Sequence, residues 1–315
     1  MSELLEIKNL NITFRNMNGE LKAVTDLNFN VKRGEILGLI GESGSGKSVT
    51  AKAIMHLLEG GKVTGDILYH GINILQMKEK EICKIRGLKI AMIFQEPMTA
   101  LNPVVKIGKQ LEEILKIHEI GNRDENIKKI KETLRMLNIN NPDAMIKKYP
   151  FELSGGLKQR IVIAMAVLCQ PEIIIADEPT TALDVTTQKE ILLLLRKTAK
   201  NMGSTVLLIT HDLGVVAECA DRMIVMYRGK KMEECKVEQF FHNALHPYSR
   251  GLIASRPSNF DGRYYTIKGS ICNNYGEMKG CPYAERCDEC LDKCREKMPE
   301  EKEISQGHYA ACWNV

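Results

Sequence analysis

The sequence predicts an α/β protein with a mixed-sheet core, an antiparallel β subdomain, a helical subdomain and a small cysteine-rich C-terminal appendage. Three observations carry this expectation. The apolar run Ile36-Leu37-Gly38-Leu39-Ile40 leads straight into Gly41-Glu42-Ser43-Gly44-Ser45-Gly46-Lys47-Ser48, which reads as strand, phosphate loop and helix in succession. Residues 173–176 and 206–210 are short apolar stretches of the kind that form parallel strands covered on both faces. Ile107, Leu111, Ile114 and Leu115 recur at helical spacing, as does much of 127–137, so residues from about 102 to 148 form a mostly helical insertion.

From the N-terminus, residues 4–14 and 21–31 alternate apolar and polar around Asn18-Gly19, a turn signal, and are expected to pair antiparallel. The first helix should run from about Ser48 to Leu58, with strands at 66–69 and 89–94 after it. The helical subdomain then extends to about 168. Pro171 introduces the strand at 173–176, a helix at about 187–201 leads past Gly203 to the strand at 206–210, and 223–227 with 230–233 form a hairpin across Arg228-Gly229. Pro247 and Pro257 are expected to mark the exit from this domain, giving a phosphate-loop domain over 1–256 and a cysteine-rich one over 257–315.

The composition, 44% hydrophobic and 27% charged in 315 residues, is that of a soluble globular protein with a sizeable core. A formal net charge of +4 is small, and the bases between Lys116 and Lys148 alternate with Glu119, Asp124, Glu125, Glu132 and Asp143. That pattern is a solvated helical face, not a nucleic-acid stripe. The acidic N-terminus lacks the basic region of a secretory signal, and the longest apolar run, 161–169, is about half of what a bilayer crossing needs. A membrane role is therefore expected to go through partners.

The loop glycines let successive N–H groups face an anion, reinforced by the helix N-terminus behind them. Lys47 is placed to reach β- and γ-phosphate oxygens, and the Ser48 hydroxyl to ligate the bridging Mg²⁺, with Val49 behind it. Asp177 and Glu178 follow the strand at 173–176 directly; an Asp there completes the Mg²⁺ shell and an adjacent Glu polarises the attacking water. His211 ends the next strand, suited to a γ-phosphate oxygen, and Gln95 ends the strand at 89–94, suited to Mg²⁺ or the lytic water. Leu153-Ser154-Gly155-Gly156 offers a second capped helix start, and thus a second anion site.

In this order and spacing the motifs resemble the ABC ATPases over about residues 3–256. The resemblance implies an ATP sandwich, in which Ser154, Gly155 and Gly156 of one subunit cap the ATP held by Lys47 of another. It also places Phe14 against adenine and Asp184, of the turn Thr181-Ala182-Leu183-Asp184, at the dimer seam. The stretches 94–103, 176–186 and 210–218 with His246-Pro247-Tyr248 look like the ATP-binding subunits of oligopeptide and dipeptide importers, a group that includes nickel importers. Phe151 and Leu157 depart from that group's usual residues without touching the chemistry. The implied partners are a paralogous ATPase subunit in a heterodimer, two membrane permeases and an extracytoplasmic binding protein, at the cytoplasmic face of the membrane. Glu96-Pro97-Met98 is the form usual in the first member of the ATPase pair. The alternatives are an importer ATPase for nickel or another small solute and a non-transport ABC ATPase; the long coiled-coil insertion or doubled ATPase typical of the latter is not visible.

Six of the ten cysteines fall between Cys272 and Cys312, a cluster that points to metal. Cys281-x5-Cys287-x6-Cys294-x17-Cys312 resembles the C-terminal pattern of the peptide-importer subunits, where it goes with a [4Fe–4S] cluster. Four thiolates serve such a cluster or a tetrahedral Zn²⁺, and Cys287-x2-Cys290-x3-Cys294 is nearer a zinc knuckle, so spacing leaves both open. Cys272 and Cys290 are extra to the family pattern. Cys83, Cys169, Cys219 and Cys235 stand singly in apolar surroundings and are expected in the core.

Overall fold

The alternating N-terminal residues form two long antiparallel strands, β1 (Glu3–Asn16) and β2 (Gly19–Lys32). The structure is a computed structural model, described here for residues 3–17, 19–95, 100–181, 183–256, 265–269 and 279–315. Asn18, Glu96, Pro97, Met98, Ala182, Pro257 and Cys272, all singled out from the sequence, lie outside the described residues. The chain divides into two units, one of residues 1–32, 37–75 and 209–315, the other of 33–36 and 76–208.

In the first unit, β4 (Gly61–Tyr69) and β5 (Ile72–Asn73) extend the N-terminal pair into a sheet of order β2-β1-β4-β5. Its inward residues Leu5, Ile7, Leu10 and Ile12 are fully buried, and the change from odd to even numbers follows a bulge at Asn9, whose φ is +48°. Each such aliphatic contributes roughly 1.5–3 kcal/mol on burial. The unit's other strands are β3 (Ile36–Ile40), β9 (Arg222–Tyr227), β10 (Lys230–Lys236), β11 (Lys302–Ser305) and β12 (His308–Ala310), in the order β11-β12-β10-β9-β3. β3 runs parallel to β9, and β9 turns into β10 through Arg228 and Gly229, both at positive φ. β12 pairs antiparallel with β10, so the end of the chain is woven into this sheet.

The helix after the phosphate loop, α1 (Lys47–Ile54), stops a turn earlier than its apolar pattern suggests. His56 takes φ +54° and turns the chain toward Gly60-Gly61. The short α8 (Leu213–Cys219) and α9 (Val237–Asn243) precede Pro247. It opens α10 (Pro247–Ala254), whose first turn is capped by His246 Nδ1 accepting the Tyr248 N–H at 3.0 Å. In the tail, a short 3-10 turn over Ala284–Arg286 and α11 (Asp292–Glu296) follow among the described residues.

The second unit holds β6 (Ile90–Ile93), β7 (Ile173–Asp177) and most of β8 (Thr205–Thr210), in the order β8-β7-β6 with β6 and β7 parallel. Every residue of β7 and β8 is buried, as unbroken apolar strands require. The one-turn α2 (Glu79–Ile82) buries Ile82 alone, so Cys83 at its end is exposed, against the core position its apolar neighbours suggested; Cys169, Cys219 and Cys235 are buried. The helical insertion is α3 (Ile107–Ile117), α4 (Arg123–Met136) and α5 (Pro142–Met145), broken where Asn122 and Asn141 cap the next helix. The apolar stretch 161–169 lies in and just beyond α6 (Gly155–Val167), and α7 (Val185–Met202) ends at Gly203 in a left-handed cap.

Candidate nucleotide site and cysteine cavity

In the first unit the phosphate loop follows β3, whose five residues are all buried. Gly41 has φ +151°, and a Cβ there would stand 2.1 Å from the Met226 carbonyl oxygen; at Gly46, φ +100°, it would stand 2.7 Å from that of Ala23. Both positions need glycine for space as well as conformation. Lys47, 5% exposed, donates from Nζ to the carbonyls of Gly41 (2.7 Å) and Glu42 (2.9 Å) and to Ser45 Oγ (3.1 Å). The ammonium is thereby held over the loop's own backbone. Ser48 and Val49 are half-buried on α1, Ser43 and Gly44 are exposed, and His211 is exposed beyond β8. Phe14 is half-buried on β1 opposite Leu21 and Gly61, with its ring 3.0 Å from where a Cβ on Gly61 would be.

The Glu42 carboxylate, within the phosphate loop, is engaged by the cysteine-rich tail. Arg286 donates to both of its oxygens, at 2.6 and 3.2 Å, while the Glu42 N–H donates to Tyr248 Oη at 2.9 Å. Neither partner is legible from the loop motif. Tyr248 belongs to the His-Pro-Tyr stretch, and Arg286 sits inside the spacing of Cys281 and Cys287, which are the nearest sequence signals to them.

In the second unit Asp177 ends β7, 3% exposed, and Glu178 follows at φ +46°, a strained backbone for a non-glycine residue. Its carboxylate accepts from Gln95 Nε2 and from Thr181 Oγ1, both at 3.1 Å. Gln95 and Glu178, picked separately from the sequence, are thus in contact; Thr181 is an addition. Ser154 Oγ caps α6 by accepting the Leu157 N–H at 3.4 Å, and Asp184 caps α7 by accepting the Thr187 N–H at 3.0 Å. Hydrogen bonds from Thr187, side chain then backbone, hold the Asp184 carboxyl below the usual range. The two caps are neighbours: a Cβ on Gly156 would lie 2.9 Å from Thr187 Cγ2, and one on Gly155 3.4 Å from Leu183.

The tail thiols of Cys281, Cys287, Cys294 and Cys312 line one cavity with His246, Tyr283 and Trp313, and Cys290 is not among its lining residues. The Cys281 N–H donates to the Cys294 carbonyl at 2.7 Å, and the Cys290 thiol donates to the Leu291 carbonyl at 3.5 Å. Burial pushes the Cys281 thiol up to about 12 and raises Cys287 and Cys312 as well. Among the described residues no three of these sulfurs lie within 4.8 Å of one another. Glu233, Cys235 and His308 do converge within 4.8 Å, but the Glu233 carboxylate already accepts from the Leu245 and His246 N–H groups and pairs with His308 Nε2 at 2.7 Å. The Glu233–His308 pair is a hydrogen-bonded buried network.

The ABC transporter family model matches residues 24–181, half of the chain. This chain belongs to the ABC transporter family of ATPases. A second model of that family's peptide branch, the oligopeptide/dipeptide transporter C-terminal region, matches residues 232–294. Similar ABC proteins include the probable peptide ABC transporter ATP-binding protein y4tR of Sinorhizobium fredii, 45% identical over 98% of this chain and 94% of its own. The oligopeptide transport ATP-binding protein OppD of Salmonella typhimurium is 43% identical over 98% of this chain and 93% of its own. Among solved ABC structures, the dimeric cassette MJ0796 bound to ADP and phosphate matches with TM-score 0.66 and 33% identity, over 74% of this chain and 98% of that one. The α/β cassette architecture and ATPase class read from the sequence are those of the family. Among the described residues no helix of this ABC ATPase is long and apolar enough to cross a membrane.

Proposed function

We propose that this chain is the ATP-hydrolysing subunit of an ABC importer for peptides, acting at the cytoplasmic face of the membrane beneath two permeases fed by an extracytoplasmic binding protein. The observation that carries it is the joint presence, in one chain, of the ABC match over 24–181 and the oligopeptide/dipeptide C-terminal match over 232–294. The reading includes an ATPase domain over 1–256, a cysteine-rich domain over 257–315 and a paralogous ATPase as partner. Lys47 serves the phosphates, and Ser48, Gln95 and Asp177 serve Mg²⁺. Their donors are all oxygen, which fits a hard cation. Glu178 polarises the attacking water, oriented by Gln95 and Thr181, and His211 senses the γ-phosphate. Phe14 meets adenine, Asp184 lines the dimer seam, and Ser154-Gly155-Gly156 caps the partner's ATP. ATP closes the dimer, and hydrolysis reopens it.

The same reading assigns Cys281, Cys287, Cys294 and Cys312 to a [4Fe–4S] cluster. Four thiols around one cavity support this assignment. When bound, the cluster supplies a rigid cross-link among these loops. Iron, sulfide and zinc analysis of anaerobically purified protein tests it: four iron per chain is expected, and one zinc without iron would overturn it. Transport is tested by replacing the chromosomal copy with Lys47→Ala and measuring uptake of a labelled tripeptide and of ⁶³Ni²⁺. Loss of peptide uptake alone is expected; loss of nickel uptake alone would transfer the assignment to nickel.

A further inference from the structure

The two features the sequence treats separately, the phosphate loop and the cysteine tail, meet at one ion pair. Arg286 is 8% exposed and spends its guanidinium on the loop. Besides the two bonds to Glu42 it donates to Tyr227 Oη at 3.1 Å, and its Nε donates to the Lys268 carbonyl at 2.7 Å. A planar fork held on several acceptors has little freedom to follow a moving loop, so it sets where Glu42 stands. The next residue is Cys287, which lines the thiol cavity. A second route runs beside the first. Tyr283 also lines that cavity and packs its ring on Tyr227 (5.3 Å) and Tyr248 (5.2 Å), and Tyr248 Oη holds the Glu42 N–H. Glu42 is therefore gripped at its side chain and its backbone, and both grips lead to residues of the cavity wall. Glu42 in turn offers its carbonyl to Lys47 Nζ.

We propose that Arg286 is a positioning residue for nucleotide binding, which holds the phosphate loop through Glu42 and couples it to the ligation state of the thiol cavity. The coupling half rests on the reading of the four cysteines as ligands; the positioning half does not. An arginine that merely ties down the tail would leave nucleotide affinity unchanged when replaced. By linkage, whatever tightens the cavity tightens the loop for nucleotide, and nucleotide tightens the cavity by the same factor.

The test is equilibrium binding of a fluorescent Mg-ATP analogue to the full chain, with iron and zinc measured in the same preparations. Arg286→Ala and Glu42→Gln should each weaken affinity roughly tenfold, and the double variant no further than either, because one interaction is being removed twice. Arg286→Lys, which keeps the charge but not the fork, should recover only part of the loss. Unchanged affinity in Glu42→Gln, which leaves the tail intact, overturns the positioning role even if Arg286→Ala fails to fold or loses its metal. Stripping the metal from the wild type with a chelator should cost at least the same factor, and should cost less in Glu42→Gln, where only the route through Tyr248 remains. Equal affinity of loaded and stripped wild type overturns the coupling. Protein purified without iron or zinc would sink the ligand reading, and with it the coupling half, while the Arg286–Glu42 cycle still decides the positioning half.

Discussion

Glu178 stands at φ +46° with Gln95 and Thr181 both donating to one of its carboxylate oxygens, an arrangement that fixes the side chain at the cost of backbone strain. For the proposed base, Glu178→Gln keeps the shape and the acceptor and removes only the ability to take a proton. Turnover should fall by roughly 10²–10⁴ while Mg-ATP affinity holds, so that ATP-bound dimer accumulates on size exclusion; wild-type turnover would remove Glu178 from the chemistry. Lys47 makes the complementary case. Its Nζ is held by two loop carbonyls and Ser45, so Lys47→Ala removes both the cation and a brace of the loop. Nucleotide affinity is where that loss should register first; isothermal titration showing normal binding would contradict the phosphate-loop reading. Most of these residues were legible one at a time, since each ends a strand or starts a helix. The contact of Gln95 with Glu178 was not, because 83 positions separate them.

At the scale of elements, the start of α6 and the start of α7 are packed so that glycine at 156 is required more strictly than at 155. A methyl 2.9 Å from Thr187 Cγ2 must push a neighbour aside, whereas one 3.4 Å from Leu183 is ordinary contact. Gly156→Ala should therefore lower the thermal midpoint by several degrees, corresponding to about 1–3 kcal/mol. Gly155→Ala should change it by less, and a reversed order in differential scanning would refute the packing argument. The strands were the most legible elements: alternation gave β1 and β2, and unbroken apolar runs gave β7 and β8. What alternation did not convey was the bulge at Asn9, where a positive φ shifts the buried face by one residue and the sequence has only an asparagine to mark it. Pro247 was ambiguous for a related reason, since proline suits the first turn of a helix as well as the end of a domain, and the capping imidazole of His246 shows that it starts a helix here.

Across the whole chain, β12 and the thiol cavity tie the last described residues to β10 and α10, and the seam contains titratable groups that respond to acid. Burial pushes His246 down to about 4, so the folded protein keeps it neutral where an unfolded chain would take a proton near pH 6.5. Stability from this residue is complete above about pH 6.5 and is lost as pH falls toward 4. Glu233, held low by His308 and the Leu245 and His246 N–H groups against its burial, loses its share in the same direction at lower pH. Urea midpoints should drop from pH 7 to pH 5 in the wild type and far less in His246→Asn, whose amide can still cap α10; parallel slopes would exclude His246 as the source. Long-range seams of this kind are what the sequence hid, because neither Glu233 nor Arg286 announces its partner locally. The pairing of Glu42 with Arg286 spans 244 positions. A ribosome adding roughly 5–20 residues per second delivers the glutamate at least about ten seconds before its arginine. A nascent chain thus displays its phosphate loop without that brace for most of its synthesis, and messages truncated ahead of codon 286 yield proteins in which the brace never forms.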